Sequence, residues 1–370
     1  MTARRSSHLA ALGLSWRDIP TSLRDVAAAP LSEADWAGLT NQGLRGLVEV
    51  HTCARSLWLL SADDPAWAGA LLQARLVSRL LAEGSNAYPE VKVGDEALRY
   101  LFRVSIGLDS FVEGEADVGG QVNDGFQAAA LQNRVCSDLQ AAWRSVIDLG
   151  NEARRAGVVR PGRGMGHLAV DTLLKSGIKP DTKVGVVGAG KIGHQVMASL
   201  ERAGFTPPAV YNRSPKDGAG PLGDAAAAGH AAYVVCTAAP SPWFMPPPTA
   251  RAVVDLGRPG QVAGPSLDLD ALLSGFGLRL SDEARARAEA LVHDAVSHWH
   301  TRTRLHASQH VLARVQSLRD AFVYERVESL LAPAMEGLDA PTRKRVLHAT
   351  QTVVRRYSHE VLGALKETVS

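Results

Sequence analysis

The stretch KVGVVGAGKIGHQVMASLERAG, at residues 183–204, decides the fold of the central part of this chain. An apolar, β-rich run leads directly into Gly188, Gly190 and Gly193, and a pattern of helical period follows. In such a unit the glycines permit a tight turn, the approach of a pyrophosphate and close packing of helix on strand, and the helix N-terminus stabilises phosphate charge. We therefore predict a Rossmann-like domain whose dinucleotide-binding residues are Gly188, Ala189, Gly190, Lys191, Ile192 and Gly193.

The next β-rich segment, AVYNRS, indicates which dinucleotide is bound. It ends in Asn212, Arg213 and Ser214 and lacks the acidic residue that would hold the ribose of NAD. An arginine and a hydroxyl group suit a 2′-phosphate instead. We therefore predict NADPH as the cofactor, with these three residues in its site. A glycine-rich structural turn without a ligand is the open alternative.

Composition limits the class of protein. The 370 residues are too many for one hydrophobic core, and 46% of them are hydrophobic and 21% charged, without a run of eighteen apolar residues. The apolar run near the N-terminus is too short for a secretory signal. Three widely spaced cysteines suit a reducing compartment and exclude a disulfide framework or a CxxC metal site. We expect a cytoplasmic protein with no membrane span and no metal; its net charge of +2 neither favours nor excludes RNA binding.

Changes in pattern along the chain predict an α/β multidomain protein. Mixed strands and helices at residues 1–160 indicate an N-terminal α+β domain, which a Pro-Gly-rich segment separates from a parallel-sheet domain at 161–280. Residues 281–370 are poor in glycine and read as long amphipathic helices. Such helices bury their apolar stripe against partner helices, most simply from a second copy of the chain. We therefore expect a homodimer.

Cys53 is the cysteine that invites chemistry. It stands in HTCAR, between two β-rich segments, where a turn at strand ends is expected. The flanking His51 and Arg55 predict a positive setting that lowers the thiol pKa and favours nucleophilic attack on an acyl carbon. A buried, inert thiol is the alternative. We adopt that alternative for Cys136, in a helical run, and for Cys236, in a β-rich run, because neither has a flanking positive charge.

Several motifs in one order carry a resemblance to a known family. They are SLRD at 22–25, TCAR at 52–55, GLDSFVEGEADVGGQV at 107–122, VGAGKIG at 187–193 and NRS at 212–214. Together they resemble the SLRE, TCNR, GLDSxxxGExQIxGQV, GAG and NRT elements of the glutamyl-tRNA reductase family. The resemblance extends over nearly the whole chain, and motifs in register are far more specific than any one alone. It implies an N-terminal catalytic domain, a Rossmann-like NADP-binding domain and a C-terminal long-helix dimerisation domain.

The resemblance also implies a reaction and a set of site residues. Cys53 would attack the ester of glutamyl-tRNA, release the tRNA and form a thioester, which NADPH would reduce to glutamate 1-semialdehyde. An aminotransferase, a possible transient partner, would convert this aldehyde to 5-aminolevulinate for tetrapyrroles. Thr52 and Arg55 would contact the aminoacyl group, with Arg55 gripping a carboxylate. The other substrate-binding residues that the resemblance implies are Ala54, Ser110, Glu115, Ala116, Asp117 and Gln121.

Some positions depart from the family pattern. Ala54 stands where the family has asparagine, Leu57 where it has an acidic residue, and Tyr100 where it has histidine. We retain Tyr100 as a catalytic candidate, although a phenol is a poorer acid or base near neutral pH. The segment after Ser214 is also shorter and richer in glycine than in the family. Judged without the resemblance, the polar residues of the 107–122 element are equally consistent with a helix cap or with solvated helical positions.

Three alternatives stay open. The departures favour a paralogue that reduces a different aminoacyl-tRNA in a specialised pathway. A non-catalytic tRNA-binding paralogue, without the acid-base group at position 100, is the second alternative. The glycine loop followed by NRS also resembles shikimate dehydrogenase-type domains, but the catalytic Lys-Asp pair of those enzymes is missing.

A basic group near the predicted domain junction could meet tRNA phosphates or simply be solvated. Its members are Arg154, Arg155, Arg160 and Arg163.

Overall fold

The computed structural model describes residues 8–52, 54–160, 162, 164–214, 218–275 and 279–369. These residues form two compact units, one that ends at Val296 and one that begins at Ser297. Two sheets and the helices packed on them make up the first unit, and the second is helical. The predicted α/β class is therefore confirmed. No helix in the described ranges is long and apolar enough to cross a membrane.

The first sheet and its helices come from the N-terminal part of the chain. The strands are β1 (Leu9–Ser15), β2 (Leu44–His51), β3 (Arg55–Ala62) and β4 (Lys92–Val93). The helices are α1 (Thr21–Ala27), α2 (Glu33–Asn41), α3 (Pro65–Ala82), α4 (Asp95–Ser105), α5 (Asp117–Leu131) and α6 (Ser137–Arg155). The predicted mixture of strands and helices is confirmed in this region.

The first sheet has the order β2-β3-β1-β4 and its paired strands are antiparallel. Helix α3 packs on it because Leu72, Leu76 and Leu80 recur every fourth residue and are fully buried against the apolar side chains of β1 and β3. The helix begins sharply, since the Asp64 side chain accepts from the Trp67 N–H at 3.0 Å. This layer holds the β2-β3 turn, which includes Thr52 and Ala54.

The second sheet comes from the middle of the chain. Its strands are β5 (Val184–Val187), β6 (Ala209–Asn212), β7 (Ala219–Pro221), β8 (Ala232–Val235) and β9 (Ala252–Asp255). The associated helices are α7 (Met165–Lys175), α8 (Lys191–Arg202), α9 (Asp224–Ala227) and α10 (Leu269–Gly275). The strands are parallel in the order β7-β6-β5-β8-β9. The predicted parallel sheet is confirmed, and the short β7 and α9 match the shortened segment after Ser214.

The second sheet shares a hydrophobic core with the motif at residues 107–122. Phe111 and Val112 are buried in the same cluster as Leu168 of α7 and Val186 of β5. Trp16 packs into this cluster and meets Phe111 edge to face, with ring centroids 5.1 Å apart. The first unit therefore contains both sheets, and the segment at 107–122 packs on the second of them.

Long helices make up the rest of the chain. Helix α11 (Asp282–Ala321) is followed by a π-helical turn at Phe322–Arg326, by α12 (Val327–Leu331), by a 3-10 turn at Pro333–Met335 and by α13 (Ala340–Val369). The two predicted long helical stretches are confirmed. Large apolar side chains stay exposed on this part of the chain, with Leu330, Val353 and Tyr357 each about two thirds exposed.

Candidate active site

The turn between β2 and β3 is closed by its own hydrogen bonds. The Thr52 N–H donates to the Arg55 carbonyl at 2.7 Å, and the Ala54 N–H donates to the Thr52 hydroxyl at 3.2 Å. The Ala54 carbonyl accepts from the Trp16 N–H at 2.9 Å. Cys53, the predicted nucleophile, lies outside the described residues. Its neighbours on both sides are held in fixed positions, at a strand end as the sequence predicts.

A pocket opens beside this turn. One wall comes from β2 and β3 and the turn between them, and the other from the end of α4 and the segment that follows it. The pocket is lined by Val50, Thr52, Ala54, Arg55, Leu57, Val104, Asp109, Ser110, Glu115 and Val118. Two distant motifs thus meet in one place. Of the predicted substrate-binding residues, the pocket contains Thr52, Ala54, Arg55, Ser110 and Glu115.

Arg55 is the positive group of the pocket. Only 6% of the residue is exposed, and its guanidinium donates to the Asp109 carbonyl. Arg103 holds the Asp109 carboxylate with two hydrogen bonds, at 2.8 and 3.2 Å. Burial alone would raise the pKa of Asp109, but the bonds and charge of Arg103 outweigh it and lower that pKa. The pocket therefore contains a fixed cation beside a carboxylate that stays ionised.

Glu115 is the titratable group of the pocket. Burial raises its pKa to about 7, the nearby Asp117 adds to this, and the Ser110 hydroxyl and Arg55 oppose it. The residue precedes α5 and forms an isolated β-bridge with Arg160. The interpretation of Glu115 as a solvated helical residue is therefore wrong, because Gly114, at φ +76°, turns the backbone there. Glu115 is poised to exchange a proton near neutral pH.

The remaining residues of this motif face elsewhere. Asp117 is the first residue of α5, and its carboxylate accepts from the Gln195 side chain of α8 at 2.7 Å. Ala116 precedes it and Gln121 lies one turn further along the helix. Among the described pocket-lining residues, none of these three is found. The structure thus places Asp117 in a contact between the pocket segment and the second sheet's helix layer.

Tyr100 lies behind Arg55. The Arg55 guanidinium is 5.8 Å from the centre of the Tyr100 ring, and the Lys92 ammonium is 5.4 Å from it. Its hydroxyl fills the space over Gly13 of β1, where an added Cβ would lie 1.8 Å from the phenolic oxygen. Burial raises the pKa of Tyr100 further. The Tyr100 ring therefore lies against the Arg55 guanidinium. The acid-base role that the sequence predicts for Tyr100 remains a prediction.

His51 does not supply the positive charge that its place beside Cys53 suggests. Its ring keeps part of its surface in solvent and meets Trp58 edge to face at 5.6 Å. Burial of the rest, with the nearby Arg258 charge, lowers the pKa of His51 to about 4, which Asp25 opposes only in part. His51 is therefore neutral near pH 7. The expectation of a cationic His51 is wrong, and Arg258 is the cation in its place.

The glycine loop between β5 and α8 has the geometry that a dinucleotide requires. Gly188 adopts φ +107°, and a Cβ at Gly193 would lie 1.9 Å from the Gly188 carbonyl oxygen, so both positions require glycine. A Cβ at Gly190 would meet nothing within 4 Å. The open side of the loop thus faces free space at the N-terminus of α8. The residues present fit a pyrophosphate at that end.

The end of β6 lies beside this loop. The Asn212 side-chain carbonyl accepts from the Ala189 N–H at 3.1 Å, and its amide donates to the Ser214 carbonyl at 2.9 Å. Arg213 and Ser214 are exposed. Asn212 therefore fixes the loop, and the two exposed residues offer a guanidinium and a hydroxyl for a 2′-phosphate. Of the other predicted cofactor residues, Lys191 is exposed and Ile192 packs on the sheet core.

The other cysteines suit a packing role. Cys136 is the residue before α6, not a residue inside a helix, and Cys236 follows β8 directly. Burial raises the pKa of Cys236 to about 12, and the Asp255 charge adds to this. A thiol with so high a pKa is a poor nucleophile at neutral pH.

Comparison with known proteins agrees with this geometry. The family model described as "Glutamyl-tRNAGlu reductase, N-terminal domain" matches residues 12–156. A glutamyl-tRNA reductase of Thermus thermophilus is 34% identical over 205 residues, which are 55% of this chain and 50% of that protein. The Myxococcus xanthus enzyme of the same name is 28% identical, covering 97% of this chain and 89% of that protein. Residues 12–156 of the chain are thus similar to the N-terminal domain of the glutamyl-tRNA reductases.

A solved structure and the extent of the matches complete the comparison. Glutamyl-tRNA reductase from Methanopyrus kandleri superimposes with a TM-score of 0.46 at 20% identity, covering 98% of this chain and 99% of that one. The matches to the two Thermus thermophilus relatives span about half the length of those proteins. The family model and the sequence relatives confirm the resemblance that the motifs predict.

Sequence patterns did not indicate three residues of this site. Asp109 and Arg103 form the ion pair beside Arg55, and Arg258 approaches the Cys53 turn from the loop after β9. Asp109 stands inside the GLDS motif, so an acidic group in that element was a usable signal. Of the basic residues predicted to meet tRNA, Arg154, Arg155 and Arg160 are exposed around the end of α6, and Arg163 lies outside the described residues.

Proposed function

We propose that this chain catalyses the NADPH-dependent reduction of glutamyl-tRNA to glutamate 1-semialdehyde and free tRNA, for tetrapyrrole synthesis. The observation that carries the proposal is the pocket in which Arg55, Ser110 and Glu115 meet beside the Cys53 turn. Residues 12–156, which include every lining residue of this pocket, match the model of the glutamyl-tRNA reductase N-terminal domain. The glycine loop and the exposed Arg213 support NADPH as the cofactor.

The first step is acyl transfer to Cys53. The thiolate sulfur attacks the ester carbonyl carbon, a carbon–sulfur bond forms, and the bond to the terminal ribose oxygen of the tRNA breaks. The departing oxygen requires a proton. Protonated Glu115 is suited to supply one, because its pKa of about 7 keeps a large fraction of the acid form present near neutral pH.

The pocket charges suit a glutamyl group. Arg55 is buried and its planar guanidinium can bind the side-chain carboxylate of the substrate with two hydrogen bonds. Asp109 is ionised and can attract the α-ammonium group. Ala54 and Leu57 make one wall of the pocket apolar. This wall favours the alternative of a different aminoacyl group, so the test below also measures which aminoacyl-tRNA reacts.

The second step reduces the thioester. NADPH, when bound, supplies the hydride that this step requires. Gly188, Gly190 and the start of α8 would hold its pyrophosphate, and Arg213 with Ser214 its 2′-phosphate. The carbon–sulfur bond then breaks, the aldehyde leaves, and Cys53 returns as a thiolate.

The remaining features of the proposal concern assembly and cellular context. We propose the domain division 1–160, 161–280 and 281–370 and a homodimer through the C-terminal helices, whose exposed Leu330, Val353 and Tyr357 support it. A cytoplasmic location suits the substrate and the unpaired cysteines. We propose a glutamate-semialdehyde aminotransferase as a transient partner, because the aldehyde product is reactive.

The test compares Cys53→Ser with Cys136→Ser under single turnover. Each purified variant is mixed with radiolabelled glutamyl-tRNA or, separately, with other radiolabelled aminoacyl-tRNAs, with and without NADPH, and the released aldehyde and the protein-bound label are counted. Cys53→Ser should form neither labelled thioester nor aldehyde. Cys136→Ser, which places a good helix N-cap residue before α6, should match the wild type.

Other outcomes discriminate among the alternatives. Label transfer only from another aminoacyl-tRNA would reassign the substrate to that amino acid. Binding of tRNA without any transfer would favour a non-catalytic paralogue. NADPH turnover on a small carbonyl compound, unaffected by Cys53→Ser, would favour the shikimate dehydrogenase-type alternative. Any of these three results contradicts the proposed reaction.

A further inference from the structure

Arg258 connects the loop after β9 to the turn that contains Cys53. Its guanidinium donates to the Thr52 carbonyl and also to the Asp25 carboxylate, with which it forms an ion pair. The Arg258 side chain is 22% exposed and that of Asp25 46% exposed. Thr52 is the residue directly before the proposed nucleophile. One side chain from the cofactor-binding sheet thus holds the backbone of the Cys53 turn.

The loop that presents Arg258 is tightly constrained. The buried Asp255 carboxylate accepts from the backbone N–H groups of Gly257, Gln261 and Val262, at 2.9, 2.6 and 2.9 Å. A Cβ at Gly257 would lie 2.1 Å from the Gln261 side chain, so only glycine fits there. A carboxylate with three N–H donors fixes the backbone of a loop strongly. Arg258 therefore projects from a rigid platform.

The same loop belongs to the edge of the sheet that binds the cofactor. A Cβ at Gly188 would lie 2.9 Å from the Cys236 carbonyl oxygen, and one at Gly257 would lie 2.9 Å from the Thr237 carbonyl oxygen. The glycine loop, the end of β8 and the Arg258 loop are therefore in close backbone contact. In parallel sheets this carboxyl edge is where ligands bind. Arg258 spans from that edge to the turn.

The electrostatic surroundings agree with this contact. The Arg258 charge is near enough to His51 to contribute to its lowered pKa, and the Asp25 charge opposes it. His51 is neutral near pH 7, so it does not repel the guanidinium. Among the charged groups for which the structure gives a contact here, Asp25 is the counter-ion.

We propose that Arg258 is a positioning residue that holds the Cys53 turn in register with the cofactor edge, so that the thioester is reduced before water hydrolyses it. The inference rests on the proposed function, because it concerns the fate of the Cys53 thioester. Arg258 acts through the Thr52 backbone and not on the reacting atoms.

The thioester has two possible fates, and each can be measured. In reduction, the carbonyl carbon gains a hydride from NADPH, the carbon–sulfur bond breaks, and aldehyde, thiolate and NADP⁺ result. In hydrolysis, water adds to the same carbon, the same bond breaks, and free glutamic acid and the thiol result. Hydrolysis requires no alignment with the cofactor edge, whereas reduction does. The ratio of aldehyde to free glutamate therefore reports how well Arg258 keeps the Cys53 turn aligned with the cofactor edge.

The experiment uses the full chain, radiolabelled glutamyl-tRNA and saturating NADPH. Arg258→Met removes both hydrogen bonds but keeps a long side chain, and Arg258→Lys keeps the charge without the planar fork. Asp25→Asn weakens the other anchor of the guanidinium. Arg251→Met is the matched control, because Arg251 is exposed just before β9, at the opposite end of that strand. Acyl label on Cys53, aldehyde, free glutamate and the KM for NADPH are measured for each.

The expected result is normal acyl label with a changed product ratio. For Arg258→Met we expect the ratio of aldehyde to glutamate to fall by about tenfold or more, as for loss of a charge-assisted hydrogen bond, with little change in the KM for NADPH. Arg258→Lys and Asp25→Asn should give intermediate falls, and Arg251→Met should match the wild type.

Three results would overturn the inference. One is an unchanged product ratio in Arg258→Met. Another is a raised KM for NADPH with a normal ratio at saturation, which would make Arg258 a cofactor-binding residue. The third is loss of acyl label in Arg258→Met while the fold is kept by circular dichroism. Absence of acyl label in the wild type is a separate result, which contradicts the proposed function itself.

Discussion

Replacing Glu115 by glutamine removes a half-buried carboxyl whose pKa is about 7 instead of the ordinary 4.5. Between these two values the folded chain keeps a proton that the unfolded chain has released. The free energy of unfolding therefore falls as the pH rises through this range, and the loss is complete above pH 7. The difference between the two pKa values corresponds to about 3 kcal/mol. Glu115→Gln carries no such cost.

The assay is urea unfolding followed by tryptophan fluorescence at several pH values from 4.5 to 8. At pH 8 we expect Glu115→Gln to be more stable than the wild type by up to about 3 kcal/mol, with the gain disappearing towards pH 4.5. Glu113 is the matched comparison. It is buried, but its carboxylate accepts from Arg279, Arg285 and the Leu280 N–H, so Glu113→Gln should lower stability. Equal pH dependence in Glu115→Gln and the wild type would refute the reasoning.

Two further predictions concern the cofactor site. Gly193→Ala should lower the thermal midpoint, because its Cβ would overlap the Gly188 carbonyl and such overpacking costs about 1–3 kcal/mol, whereas Gly190→Ala has room for its Cβ and should not. Both variants should bind NADPH more weakly in a fluorescence titration, and equal melting temperatures would contradict the packing argument. Arg213→Ala should raise the KM for NADPH about tenfold and leave that for NADH unchanged, by loss of a charge-assisted hydrogen bond. An equal rise in the KM for both cofactors would contradict the prediction that Arg213 binds the 2′-phosphate.

Local pattern predicts much of the fold. The strands at Leu9–Ser15 and Leu44–His51 and the glycine loop at 188–193 follow from residue types within a few positions of one another. The same holds for the long C-terminal helices, which lack interior glycine or proline over most of their length. Motifs in one order then relate the TCAR turn to the segment at 107–122. The structure brings five of the predicted substrate-binding residues to one pocket.

Contacts between residues far apart in the sequence determine the features of the site that no local pattern predicts. Arg258 lies 206 residues from Thr52 along the chain, and no local pattern indicates that they meet. The lowered pKa of His51 depends first on burial and then on the nearby charge of Arg258. Glu115 lies outside the helix that its surroundings suggest. Gly114 turns the backbone there, and the Glu115 backbone forms a β-bridge with Arg160 in another segment. Burial and distant charges, not residue type, set the proton affinities in this site.

The most direct test of the account is peptide mapping of the acyl-enzyme. The wild-type chain is mixed with labelled glutamyl-tRNA in the absence of NADPH, quenched in acid, digested, and searched by mass spectrometry for a glutamyl group on each cysteine. We predict a hydroxylamine-sensitive glutamyl group on Cys53, which is released as aldehyde when NADPH is added before the quench. Label on Cys136 or Cys236 instead, or aldehyde formation without any modified cysteine, would contradict it.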